Sequence, residues 1–143
     1  MFVMSKIAVV YWSGTGNTQE MALAVSDGAK EKGADVSLFS ASDFSESMVD
    51  DFDAFAFGCP AMGAEVLEED EFEPMFESCK ASLAGKKAAL FGSYGWGDGE
   101  WMRNWEDDCS AVGITLACAS VICNEAPDEN AVAECKALGA ALV

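Results

Sequence analysis

The chain has 143 residues with eight basic, twenty-five acidic and no histidine side chains, which gives a formal charge of −17. That length suits one domain over 1–143, and a hydrophobic content of 51% supplies a sizeable core. The charge opposes binding to nucleic-acid phosphates and anionic lipid, and the missing histidine weakens any hydrolytic or zinc-based reading.

In chain order, the apolar β-branched run Lys6 to Tyr11 predicts a strand buried on both faces. Thr18 to Lys32 carries Met21, Ala22, Val25 and Ala29 at helical spacing, with Gly33 placed to stop it. Asp35 to Ser40 reads as a second strand and Ala54 to Gly58 as a third, with a short helix near Ser45 to Asp50 between them. Glu71 to Ala84 is the next helix, with Phe72, Met75, Phe76, Cys79 and Leu83 on one stripe. Lys87 to Gly92 is strand four, and Glu100 to Val112 a helix with Trp101 and Trp105 one turn apart. Ile114 to Cys123 reads as strand five, and Asn130 to Val143 as the last helix. Strands alternating with helices call for an α/β fold, a three-layer sandwich with a five-stranded parallel sheet between helices.

The longest uncharged stretch, Cys109 to Asn124, is sixteen residues broken by glycine, serine and threonine. A membrane span needs about 18 to 20 mostly apolar residues. The run Ile7 to Trp12 is too short for a signal core and lacks a cleavage pattern, so the expected location is the cytoplasm. No two of the six cysteines are separated by two residues, which favours reduced, buried thiols over a metal cluster or disulfide frame.

Right-handed crossovers bring the loops after parallel strands to one edge of the sheet, where ligands of open α/β folds bind. After strand one comes Ser13-Gly14-Thr15-Gly16-Asn17-Thr18, a nest of backbone N–H groups and hydroxyls at a helix start. No lysine or arginine occurs between Lys6 and Lys30, so it is not a nucleotide triphosphate loop. It fits either a terminal phosphate held by neutral dipoles or a plain turn capping a helix. After strand three, Cys59-Pro60-Ala61-Met62-Gly63-Ala64-Glu65 offers a soft side chain, a permissive glycine and a carboxylate. After strand four, Ser93-Tyr94-Gly95-Trp96-Gly97-Asp98-Gly99 leaves a large ring between glycines. Met62 and Trp96 suit the two faces of an aromatic ring; the alternative is core packing for Met62 and docking onto its own helix for Trp96. Trp101 and Trp105 fit the core.

These three loops, in this order and spacing, closely resemble those of the flavodoxins, specifically the short-chain type of anaerobic bacteria, over essentially the whole chain. The strand order 2-1-3-4-5 with FMN at the reversal point is the known flavodoxin arrangement and comes with the resemblance. The resemblance implies a low-potential one-electron carrier that holds FMN non-covalently and stands in for ferredoxin, not an enzyme. It implies that Ser13, Gly14, Thr15, Gly16, Asn17 and Thr18 bind the phosphate, with help from Ser93. Met62 and Trp96 would flank the ring system, within a shell of Ala61, Ala64, Tyr94, Gly95 and Gly97. Glu65 would accept from the flavin N3–H, and the peptide after Gly63 would reorient on one-electron reduction. Pro60 stands where some relatives place a phosphate-touching hydroxyl, and Ala64 where others carry a polar side chain.

Seven acidic residues and no basic one lie from Glu65 to Glu77. Carboxylates beside a flavin disfavour a second electron, which predicts a low second potential, and they steer the basic surfaces of ferredoxin-type oxidoreductases toward a monomeric carrier. An FMN-dependent NAD(P)H reductase on the same fold would need nicotinamide room where Trp96 stands, and a signalling receiver would need acidic residues where Trp12 and Ser13 stand.

Overall fold

The structure is a computed structural model that describes residues 5–14, 16–62, 66–95 and 97–143. The strands are β1 (Lys6–Tyr11), β2 (Asp35–Ser40), β3 (Ala54–Gly58), β4 (Lys87–Tyr94), β5 (Thr115–Leu116) and β6 (Val121–Asn124). The helices are α1 (Asn17–Glu31), α2 (Phe72–Leu83), α3 (Glu100–Ala111) and α4 (Glu129–Ala141), with two 3-10 turns at Ala41–Asp43 and Glu46–Asp51. All pairings are parallel, in the order β2-β1-β3-β4-β5, with β6 also on β4.

Alternation along the strands divides the core between two faces. Ala8, Val10, Phe55, Phe57, Ala88 and Leu90 face a cluster built with Phe72, Phe76, Trp101 and Trp105. Ile7, Val9, Ala54, Ala56, Ala89 and Phe91 face Met21, Val25, Cys135 and Leu138. Helices α2 and α3 therefore cover one side of the sheet, α1 and α4 the other. Trp101 and Trp105 are core residues, as their helical spacing predicts.

The predicted fifth strand is divided. Thr115 pairs with Lys87 and Leu116 with Ala88, and pairing resumes at Val121 with Phe91. Four residues, 117–120, thus face two residues of β4, so the outer chain must bulge. Ala117 N–H donates to the Ala88 carbonyl at 2.9 Å before the departure. Ser120 Oγ then donates to Glu106 on α3 at 2.7 Å.

All six cysteines are free. Burial pushes the thiols of Cys59, Cys109 and Cys135 up to about 12 and that of Cys123 to about 11. Only the thiolate reacts with an alkylating agent, and Cys118 and Cys123 are only half-buried. Iodoacetamide at about pH 8 should therefore modify those two slowly and the other four only after unfolding, read by peptide mass spectrometry.

Candidate functional site

A cavity of about 530 Å³ opens where β1, β3, β4 and β6 end. Trp12, Gly14 and Asn17 enter it from the first loop, and Pro60, Ala61 and Met62 from the loop after β3. Ser93, Tyr94 and Gly95 come from the end of β4, and Glu125 and Ala126 from the turn after β6. A second groove of about 460 Å³ involves α2 and α3 and carries Glu73, Glu77, Asp107 and Asp108. Those carboxylates make it a poor seat for an anionic ligand.

Helix α1 starts at the cavity with Asn17. Gly16 before it is left-handed (φ 97°), and no side chain caps this helix among the described residues. The dipole and N–H groups of the first turn are thus available to an anion. Ser13 Oγ accepts from Gly16 N–H at 3.0 Å and shapes the turn. Behind it, the buried hydroxyls of Thr18 and Ser93 lie 3.0 Å apart and tie the helix start to the end of β4.

The loop after β3 is held at several points. Cys59 N–H donates to the Phe91 carbonyl at 3.1 Å and Ala61 N–H to the Ser93 carbonyl at 3.0 Å. Met62 and Val66 exchange backbone bonds of 2.8 and 3.0 Å across an antiparallel bridge. The buried Trp101 indole N–H donates to the Cys59 carbonyl at 3.1 Å, and the Tyr94 ring packs on that indole at 5.6 Å.

Gly14, Asn17, Ala61, Met62, Ser93, Tyr94 and Gly95 thus share one cavity, as the three-loop reading expects. Ser13, Gly16 and Thr18 are not among the lining residues, although Thr18 bonds to the lining Ser93 and Ser13 to Gly16, and Gly97 is exposed and does not line the cavity either. Thr15, Gly63, Ala64, Glu65 and Trp96 fall outside the described residues.

Sequence reasoning missed Trp12, Glu125 and Ala126. The signal existed, since the strand-edge argument applied to the last strand as well as to the others. Glu125 adopts φ 59°, an unusual value for a residue with a side chain, and its N–H donates to the Tyr94 carbonyl at 2.7 Å. The acidic run is also less uniform than it reads: Glu69, Asp70, Glu71 and Glu77 are exposed, but Glu68 is buried.

The residues present fit FMN. None of the described lining residues is lysine or arginine, the uncapped start of α1 suits a terminal phosphate, and Trp12, Met62 and Tyr94 provide apolar surface for flat rings.

The family model for flavodoxin matches residues 9–139. A flavodoxin from Clostridium beijerinckii is 47% identical over 121 residues, which cover 85% of this chain and 88% of that one. One from Megasphaera elsdenii is 45% identical over 138 residues, covering 94% and 96%. The solution structure of the two-electron reduced Megasphaera elsdenii flavodoxin superposes with a TM-score of 0.88 at 46% identity, covering 94% of this chain and 96% of that one. With that match over nearly its whole length, and with a cavity at the carboxyl edge of a 2-1-3-4-5 sheet, the chain belongs to the flavodoxin family: it is a small FMN-binding electron-transfer protein and not an enzyme.

Proposed function

We propose that this flavodoxin carries single electrons at low potential between cytoplasmic oxidoreductases in place of a ferredoxin, as a monomeric single domain that docks on basic surfaces. The observation that carries this reading is a cavity with no lysine or arginine among its described lining residues, one loop away from a run of exposed carboxylates. Bound FMN supplies one-electron redox chemistry.

The chain holds and biases that chemistry. In this reading Ser13, Thr15, Asn17, Thr18 and Ser93 and the N–H groups around Gly14 and Gly16 grip the phosphate. Met62 and Trp96 cover the two ring faces and exclude water, with Ala61, Ala64, Tyr94, Gly95 and Gly97 around them. Glu65 would hold the ring through N3–H, and the peptide after Gly63 would offer its carbonyl to N5–H of the reduced cofactor. Glycine makes both orientations of that peptide accessible. The surrounding carboxylates oppose further negative charge in a partly dry site, which lowers the second potential.

Stopped-flow electron transfer to or from a ferredoxin-dependent oxidoreductase tests the reading. Raising ionic strength from about 20 to about 300 mM should slow the bimolecular rate about tenfold, because screening removes the steering field. A rate indifferent to salt, or a second potential no lower than that of free FMN, would overturn it.

A further inference from the structure

We propose that Glu68 is a positioning residue for the cofactor: its buried carboxylate clips the returning arm of the loop 59–68 to the start of α2 and so holds Met62 in place against the flavin. This rests on the reading of Met62 as a flavin-facing residue.

Glu68 is 5% exposed, and its companions among the buried polar residues, Thr18, Ser26 and Ser93, carry no charge. Moving a carboxylate out of water is unfavourable unless its oxygens find strong donors. Here they do. Oε2 accepts from Asp70 N–H at 2.8 Å, and Oε1 accepts from Glu71 N–H and Phe72 N–H, both at 2.8 Å. Burial pushes the carboxyl up, but these three bonds outweigh it and hold it below its ordinary range. It is therefore an anion at neutral pH, set on the positive end of α2.

Helix capping alone does not call for burial. Helix α4 is capped by the exposed Asp128, which accepts from Ala131 N–H at 2.8 Å. What distinguishes Glu68 is its other end. Its own N–H donates to Cys59 Sγ at 3.3 Å, nine residues back at the beginning of the loop, and its carbonyl accepts from Glu73 N–H at 2.9 Å. Cys59 is in turn fixed by the Trp101 indole. The loop is thus closed twice, by 59 with 68 at the base and by 62 with 66 nearer the tip. The carboxylate adds three bonds to the start of α2 beside the two that the Glu68 backbone makes, so it fixes where that base sits. Without it the outer closure rests on the N–H to Cys59 Sγ and the Glu73 N–H alone.

The test compares FMN-loaded Glu68→Gln, Glu68→Ala and Asp128→Ala with the unaltered chain. Glutamine keeps the shape and one acceptor but removes the charge, so it stays informative if the alanine variant fails to fold. Amide exchange at Met62 and Val66 and the FMN dissociation constant are each expected to rise about tenfold in Glu68→Gln, the effect of losing a charge-assisted bond. Asp128→Ala should lower the melting temperature and leave both readouts alone. A Glu68→Gln protein that melts lower while exchange and FMN affinity stay within about twofold of the original would make Glu68 a cap only, and would overturn the proposal. Faster exchange with unchanged affinity would overturn it as well. In that case Met62→Ala assigns the fault: if it weakens FMN binding, the flavin-facing reading stands and Glu68 alone fails; if it does not, that reading fails too.

Discussion

Gly28→Ala is expected to lower stability by about 2 kcal/mol, although alanine is the better helix former by about 1 kcal/mol. Helices α1 and α4 approach so closely that a Cβ on Gly28 would sit 2.0 Å from the Lys136 carbonyl oxygen, and one on Gly139 would sit 2.0 Å from the Val25 carbonyl oxygen. Both obstacles are backbone, so no rotamer change relieves them, and the helices have to separate. Separation opens gaps among Met21, Val25, Cys135 and Leu138 beneath them. For a domain of this size such a loss corresponds to a fall in melting temperature of about 4–8 °C. Gly33→Ala is a useful contrast: nothing lies within 4 Å of its Cβ position, but its φ is +88°. It should cost about 1 kcal/mol through the left-handed backbone alone. A Gly28→Ala protein as stable as the original would mean that the α1–α4 contact has slack.

Riboflavin, which lacks the phosphate, should bind on the order of a thousandfold more weakly than FMN. The start of α1 offers uncapped N–H groups, and Asn17 and Ser93 line the same cavity. Each hydrogen bond to a charged group contributes about 1.5–3 kcal/mol, so two or three of them account for a factor of that order. The donors are neutral in this reading, so salt screens no attraction at the phosphate, only its repulsion by a chain of charge −17, and the ratio should rise modestly with ionic strength. Fluorescence titration of both ligands into cofactor-free protein at low and high salt measures it. Equal affinities would mean that the first loop is a helix-starting turn with no anion to hold.

Much of the fold was legible in the residues. β1 and β3 run over the predicted spans because each is a short apolar run, and β2 does so with Val36, Leu38 and Phe39 set among polar residues. β4 continues two residues past the predicted Gly92 because Ser93 and Tyr94 pair with Cys123 and Asn124. That is a tertiary cause with no local signature. The division of the last strand has the same origin, since Ile114 to Cys123 reads as one apolar run and only the partner β4 reveals the two surplus residues. At the site, the glycine-rich loops could be found because their composition is costly without a ligand. Glu68 could not be found. Among seven carboxylates in thirteen positions nothing local marks the one that folds inward, and its role depends on Cys59 lying alongside it.

The bulge at 117–120 also leaves the two margins of the sheet unequal. On that side the outer strands are two and four residues long and out of step, a poor template for another chain. On the other side β2 is six residues long and uninterrupted, with Leu38 at its surface. Near the isoelectric point of about 4.1 the mutual repulsion between molecules vanishes, and self-association by strand addition would begin at β2. A lysine at position 37 or 38 would be the economical safeguard for storing this protein in acid.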